Sequence, residues 1–406
     1  MKRRLLTLVL PILALVLLST MTVQAGSLLQ ITPTWVYHLP QIYQGPAPTA
    51  NYNGKPAPVS TVTPSSNPPP YSTSFYVQKN DPAFLYSLGC SLGTRDLNTP
   101  GTQDSLVILG FGQGWYENGQ YGVLMFQDIS ITNPPYIFLN TTRVGDAVKE
   151  YIKGYWNCSG SDTTSQVTVG IGLNNYGAFT DAADYDDNRR RSHAYNQGVA
   201  WGQMAASMVQ WVRNNGYSRQ VTVVAAKDIE QGNMITSGQW NGKYRWAPPY
   251  VEDGWISGFS AGSGNKVPYY NYGACSGCWA TLYSTASSYY SPFTANPSTG
   301  WSQADVWKVS WGAVPAWPVP EIYVTDGVNA RQWQAISLFG AVYKGSRMDF
   351  LGVMTQSGAC TTRDCHDVEK NTPEMGWTQL YNELKKSGLT RQDLLRWSTD
   401  IRWMTK

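Results

Sequence analysis

Seven short apolar runs, at residues 105–111, 166–173, 220–226, 267–272, 306–311, 319–324 and 348–354, alternate along this chain with longer polar or amphipathic stretches. Each run is too short for an ordinary helix and too continuously apolar for a strand with one wet face, so each predicts a strand buried on both sides. Such strands need helices over both faces. The stretches 142–155, 192–214, 251–259 and 330–343 carry helical patterning, with Gly154 and Gly216 placed as C-terminal signals. Two more helices are expected in the tail, over 373–386 behind Thr372-Pro373 and over 389–397 behind Thr390 and Asp393. The fold class is therefore α/β: a (β/α) TIM-like barrel, irregular or with one strand unrecognised, followed by C-terminal helices. An open doubly wound sheet is the alternative, and both architectures put chemistry at the C-terminal ends of strands.

The N-terminal residues have a different character. Met1-Lys2-Arg3-Arg4 is a positive start, residues 5–18 are an uncharged apolar run, and Val23-Gln24-Ala25 offers small residues where a signal peptidase cuts. Residues 1–25 therefore read as a secretory signal peptide cleaved after Ala25; an uncleaved anchor is the other reading. Residues 26–82 are rich in Pro, Ser and Thr, with Pro68-Pro69-Pro70 the densest point, and predict an extended, disordered linker. The barrel domain is expected over 83–406. Both readings of the N-terminus place it outside the cytoplasm, with no membrane span once the signal is removed.

Six cysteines in an exported chain predict disulfides. The close pairs Cys275 with Cys278 and Cys360 with Cys365 each shut a short loop, which leaves Cys90 for Cys158. A redox-active Cys-x-x-Cys and a four-cysteine zinc site are the minority readings. Charged residues are only 14% of the chain, the net charge is +3 and no basic run after the signal exceeds Arg189-Arg190-Arg191, so nucleic acid is not an expected partner. Conversely, 17 Trp and 26 Tyr supply rigid faces with polar edges, most for the core and a few for stacking on sugar rings.

The chemistry concentrates where the run ending at Ala226 terminates in Asp228-Ile229-Glu230. On a strand, residues i and i+2 face the same way, so both carboxylates are expected to emerge together at the mouth of the sheet. Two acids that close do not ionise independently: the one walled by apolar groups keeps its proton and can donate it, while its partner stays charged. Glycosidic bond cleavage needs such a pair.

The sequence of landmarks Asp228-Ile229-Glu230, Val306-Trp307 to Trp311, Arg331-Gln332-Trp333-Gln334 and Met348-Asp349-Phe350 resembles that of glycoside-hydrolase-like barrels of the family-25 lysozyme kind and their uncharacterised secreted relatives. The likeness spans residues 104–356. It implies a barrel acting on bacterial wall polysaccharide, with Glu230 as proton donor and Asp228 as its partner. Where that family carries an Asp at its first strand, this chain has Gly110-Phe111-Gly112-Gln113. A non-catalytic envelope or carbohydrate-binding protein on the same fold is therefore the runner-up.

Polar and aromatic residues at other strand ends, Gln113, Asn174, Tyr272, Trp311 and Gln356, are the candidate substrate contacts. A third reading comes from Gly258-Phe259-Ser260-Ala261-Gly262, which fits the nucleophile elbow of serine esterases, with His366 and Asp349 downstream. Gly110-x-Gly112-x-Gly114 lacks the dinucleotide-binding spacing, the three histidines are scattered, and Asp184-Tyr185-Asp186-Asp187-Asn188 lacks the Gly and Glu of a calcium loop. No cofactor and no metal are expected.

Overall fold

Ser72–Tyr76 (β1) and Asp104–Glu117 (β2) open a ring of parallel strands. β2 runs past the ring into an antiparallel extension with Gln120–Phe126 (β3) and Tyr136–Asn140 (β4). The ring resumes with Gln166–Asn174 (β5), Val221–Asp228 (β6), Tyr269–Asn271 (β7), Ala316–Pro318 (β8), Gly352–Thr355 (β9) and Trp397–Trp403 (β10). This computed structural model describes residues 55, 65–127, 135–160, 162, 164–176, 187–231, 246–275, 278–280, 301–362, 365, 366 and 369–404. The signal-like residues 1–25 and most of the linker lie outside them.

Eight strands pair side by side in chain order, from β1 through β2, β5, β6, β7, β8 and β9 to β10, and β10 pairs back with β1. Between β8 and β9 the contact is made by the extended residues just past β8: Met354 N donates to Pro320 O, Ile322 N donates to Met354 O, and Glu321 bridges Met354. The fold is thus a TIM-like (β/α) barrel, as expected, with its first and last strands, β1 and β10, outside the seven apolar runs.

Helices fill the crossovers: Pro82–Asn98 (α1), Thr141–Cys158 (α2), Asp187–Asn214 (α3), Pro249–Ser263 (α4), Gln303–Trp307 (α5), Val328–Tyr343 (α6), Ser357–Cys360 (α7) and Pro373–Lys385 (α8). Inside the barrel, small residues on β2, β5 and β6 face large ones on β7 and β10. A Cβ on Gly170 would stand 3.2 Å from that of Ala226, while Tyr270 lies against Trp397 with ring centroids 5.9 Å apart.

Four expectations need correction. Ser72–Tyr76, assigned to the linker, is a barrel strand whose inner residues are polar: Ser74 Oγ bonds Thr399 Oγ1 at 2.8 Å and Ser72 Oγ donates to Leu106 O. Lys55, deeper in the same segment, donates to the carbonyls of Trp311, Ala313 and Ala316. The apolar run 306–311 is helical, because Ser302 and Asp305 form a capping box that starts α5, which continues as one wide π-type turn over Lys308–Gly312. Residues 389–397 do not form a helix; Thr390 Oγ1 turns back onto Leu384 O, and the chain enters β10 instead. The first strand being β1, the strand carrying Gly110 to Gln113 is the second of the barrel.

The Gly258 to Gly262 motif lies inside α4, after no strand. A Cβ at Gly258 would overlap the carbonyl of Tyr195 on α3, and one at Gly198 would overlap Trp255 on α4, so these glycines let two helices touch backbone to backbone. Among the described residues only Asn118 and Asn265 have positive φ outside glycine. Ser260 has neither the strand-to-helix turn nor the strained backbone of a nucleophile elbow, and the esterase reading falls.

All three disulfides form in the expected pairing, Cys90 with Cys158, Cys275 with Cys278 and Cys360 with Cys365. The first ties α1 to α2. These bonds use every cysteine, so the four-cysteine zinc site is overturned, and Cys275 follows β7 in a loop rather than opening a helix as a redox-active pair requires. No helix among the described residues is long and apolar enough to cross a membrane.

Candidate active site

β6 delivers Asp228 at its last position. Alternation sends its neighbour Lys227 outward, where Nζ meets Glu252 of α4 at 2.5 Å and lies 4.2 Å from the Trp255 ring centroid. Asp228 consequently faces the barrel interior, and Glu230, two residues on, joins it in lining the same cavity.

Two buried asparagines fix the backbone there. Asn175 accepts from Glu230 N at 3.1 Å and donates to Glu230 O at 3.0 Å, while Asn271 Oδ1 accepts from Ile229 N at 3.3 Å and Gly273 N at 3.1 Å. The 228–230 segment is therefore held by side chains from both flanking strands' ends, which gives its carboxyls a set direction.

A third carboxyl arrives from across the ring. Glu321, in the extended residues past β8, is 2% exposed, and one of its oxygens lies with one each of Asp228 and Glu230 within 4.8 Å of one another. Asp228 Oδ1 and Glu321 Oε2 are buried without a hydrogen-bond partner. Such oxygens need a donor, a proton or a cation.

Burial pushes Glu230 up to about 7. Asp228 goes well above the ordinary carboxyl range through burial and then the charge of Glu230, and Glu321 does so through burial and then the charges of Asp228 and Glu230. The expectation that Asp228 simply stays charged beside a protonated Glu230 needs revision: at 7% exposure Asp228 is itself desolvated, and three acids share their protons. Tyr76, Tyr272 and Tyr323, raised by burial and by the same carboxylates, remain phenols around them.

The cavity measures about 650 Å³. Asn174 and Tyr272, two of the candidate substrate contacts, line it, together with Tyr76, Tyr176, Trp246 and Trp403, which the sequence reading had not singled out. Tyr272 reaches across the barrel because Gly110 and Gly172 leave room: a Cβ at either would stand 3.2 and 3.0 Å from its Oη. Gly112, at φ 111°, makes the bulge that turns β2 out of the ring. Gln113 follows that bulge in register with Asn174, which in turn is in register with Asp228, but it is not among the cavity's lining residues. Gln356 begins α7 beside the ring, also outside the lining. Trp311 does not belong to the mouth: it lies in the π-type turn, donates to Ser346 Oγ at 2.9 Å and carries Lys55 over its ring.

Three hard oxygen donors this close also have the chemistry of a divalent cation site. Asp184 and Asp186 of the calcium-like stretch lie outside the described residues; Asp187 opens α3 and accepts from Tyr250 Oη at 2.6 Å.

No family model matches this chain, so the resemblance to the family-25 lysozyme kind has no family-level match behind it, and no curated protein matches either. Among solved structures, the chain is similar to a GH5-4 broad specificity endoglucanase from an uncultured bacterium, at 9% identity over 80% of this chain and 77% of that one, with a TM-score of 0.32. It is also similar to a GH113 beta-1,4-mannanase at 10% identity over 70% of this chain and 86% of that one, with a TM-score of 0.22. The fold assignment rests on the strand order and not on these likenesses.

Proposed function

We propose that this chain is a glycoside hydrolase working on a polysaccharide outside the cell, with Glu230 as proton donor and Asp228 as its partner. The observation that carries the reading is the trio of carboxyls within 4.8 Å at the C-terminal end of the barrel, two of which, Asp228 and Glu230, line an aromatic cavity. The signal-like start, the linker and the three disulfides support export.

Glu230, titrating at about 7, holds a proton at neutral pH that a glycosidic oxygen can take as its bond to the sugar breaks. Positive charge then builds at the anomeric carbon, and Asp228, in the arrangement of the shared protons that places them on Glu230 and Glu321, stabilises or adds to that carbon. Water, deprotonated by Glu230, completes the hydrolysis.

A second reading is favoured by the two partnerless carboxylate oxygens: a cation-binding, non-catalytic carbohydrate protein. Release of reducing ends from a polysaccharide panel, run with and without chelator, separates the two. Under the hydrolase reading Glu230→Gln and Asp228→Asn each lose at least a thousandfold with circular dichroism unchanged, and chelator has no effect. Equal activity in wild type and Glu230→Gln would end the hydrolase reading.

A further inference from the structure

The rim of the cavity carries two aromatic pairs. Tyr176, 42% exposed just past β5, bridges Trp246, and their rings meet edge to face at 5.2 Å. Tyr76 at the end of β1 stacks on Trp403 at the end of β10, with centroids 4.3 Å apart and planes 29° apart. Around the eight-stranded ring the seam between β5 and β6 and the seam between β10 and β1 lie three strand positions apart, so the pairs stand on well-separated arcs of one mouth. Asp228 and Glu230 line the same cavity as both pairs.

This arrangement constrains a ligand in two ways. Flat rings with polar edges suit the carbon-bound hydrogens of sugar rings, and two platforms suit more than one sugar. Three crowded carboxyls, two with buried oxygens lacking partners, suit hydroxyl donors and repel a carboxylate or sulfate brought among them, since like charges repel more strongly out of water. A strongly cationic sugar would instead hold the carboxyls ionised and leave Glu230 without the proton it must donate.

Resting on the hydrolase reading, we propose that the substrate is an uncharged glycan bound across the carboxyl trio, with one sugar against Trp246 and Tyr176 and another against Trp403. Anionic polymers such as polyuronates and cationic ones such as polyglucosamine are excluded.

The test is calorimetric binding to full-length Glu230→Gln, in which two carboxyls still face the ligand. The probes are hexasaccharides of β-1,4-linked glucose, mannose and N-acetylglucosamine, a galacturonate hexamer and a glucosamine hexamer. At least one neutral hexamer is expected to bind, about tenfold or more weakly after adding Trp246→Ala or Trp403→Ala, as loss of a stacking face predicts. The galacturonate hexamer is expected to bind at least a hundredfold more weakly than the best neutral one, and the glucosamine hexamer to resist cleavage by wild type. A galacturonate hexamer that binds as well, cleavage of the glucosamine hexamer, neutral binding indifferent to both tryptophans, or no neutral binding at all overturns the proposal. Neutral binding without cleavage by wild type would refute the hydrolase reading and leave this one standing; cleavage of a polyuronate would do the reverse.

Discussion

Replacing Glu230 by Gln should make the protein more stable at mildly alkaline pH and leave its stability unchanged in acid. The carboxyl titrates at about 7 in the fold against 4.5 ordinarily. Below pH 4.5 it is protonated in both folded and unfolded chains and contributes no pH dependence. Between 4.5 and 7 the unfolded chain releases the proton while the fold retains it, so wild-type stability falls as pH rises; above 7 both forms are ionised and the loss is complete. That interval corresponds to about 3 kcal/mol, taken as about 2 to 3 kcal/mol because Glu230 is only half-buried. The amide escapes this penalty and relieves Asp228 and Glu321, both of which Glu230 pushes upward. Urea denaturation at about pH 4 and about pH 8 measures it: curves that coincide in acid and separate by about 2 to 3 kcal/mol in base, with the variant the more stable. A wild type equal to or more stable than Glu230→Gln at about pH 8 would refute the reasoning, because the carboxyl would then have a partner that keeps its charge.

Gly258→Ala should destabilise the fold by about 2 to 4 kcal/mol, since its Cβ falls on the Tyr195 carbonyl and forces α3 and α4 apart; a thermal melt reads the loss. Removing Cys90 and Cys158 together should cost about 4 kcal/mol, the cross-link closing a sequence separation of 68, measured by denaturant unfolding against the oxidised protein. Ser260→Ala should leave reducing-end release unchanged, and a fluorophosphonate probe should label neither protein.

The sequence disclosed the parts of the molecule that local chemistry decides. β5 and β6 are continuous apolar runs, and the alternation that sends Lys227 out and Asp228 in follows from strand geometry alone. The disulfide pairing followed from loop closure. What stayed hidden depends on distant partners. Ser72 and Ser74 make a poor apolar pattern, and only Thr399 and Leu106 turn them into an inner face. Glu321 sits behind two prolines, Pro318 and Pro320, that mask a strand, and its importance comes from acids on another part of the ring. Glu321 stands inside the apolar run 319–324, and an acid within a run otherwise read as buried was the signal that could have found it. Residues 306–311 show the reverse failure, a run with strand composition governed by the Ser302 cap four residues upstream.

The seam where the barrel closes has a consequence for biogenesis. Ser72 accepts from Thr399, 327 residues away, and Tyr76 and Trp403 complete one wall of the cavity from the two sides of that seam. A ribosome has made Asp228, Glu230 and Glu321 well before it reaches Trp403, so a nascent chain holds its acids without the wall that would grip a sugar. A protease that clips the last strand returns the molecule to that same unfinished condition, with every acid intact and one of the two aromatic pairs at the mouth dismantled.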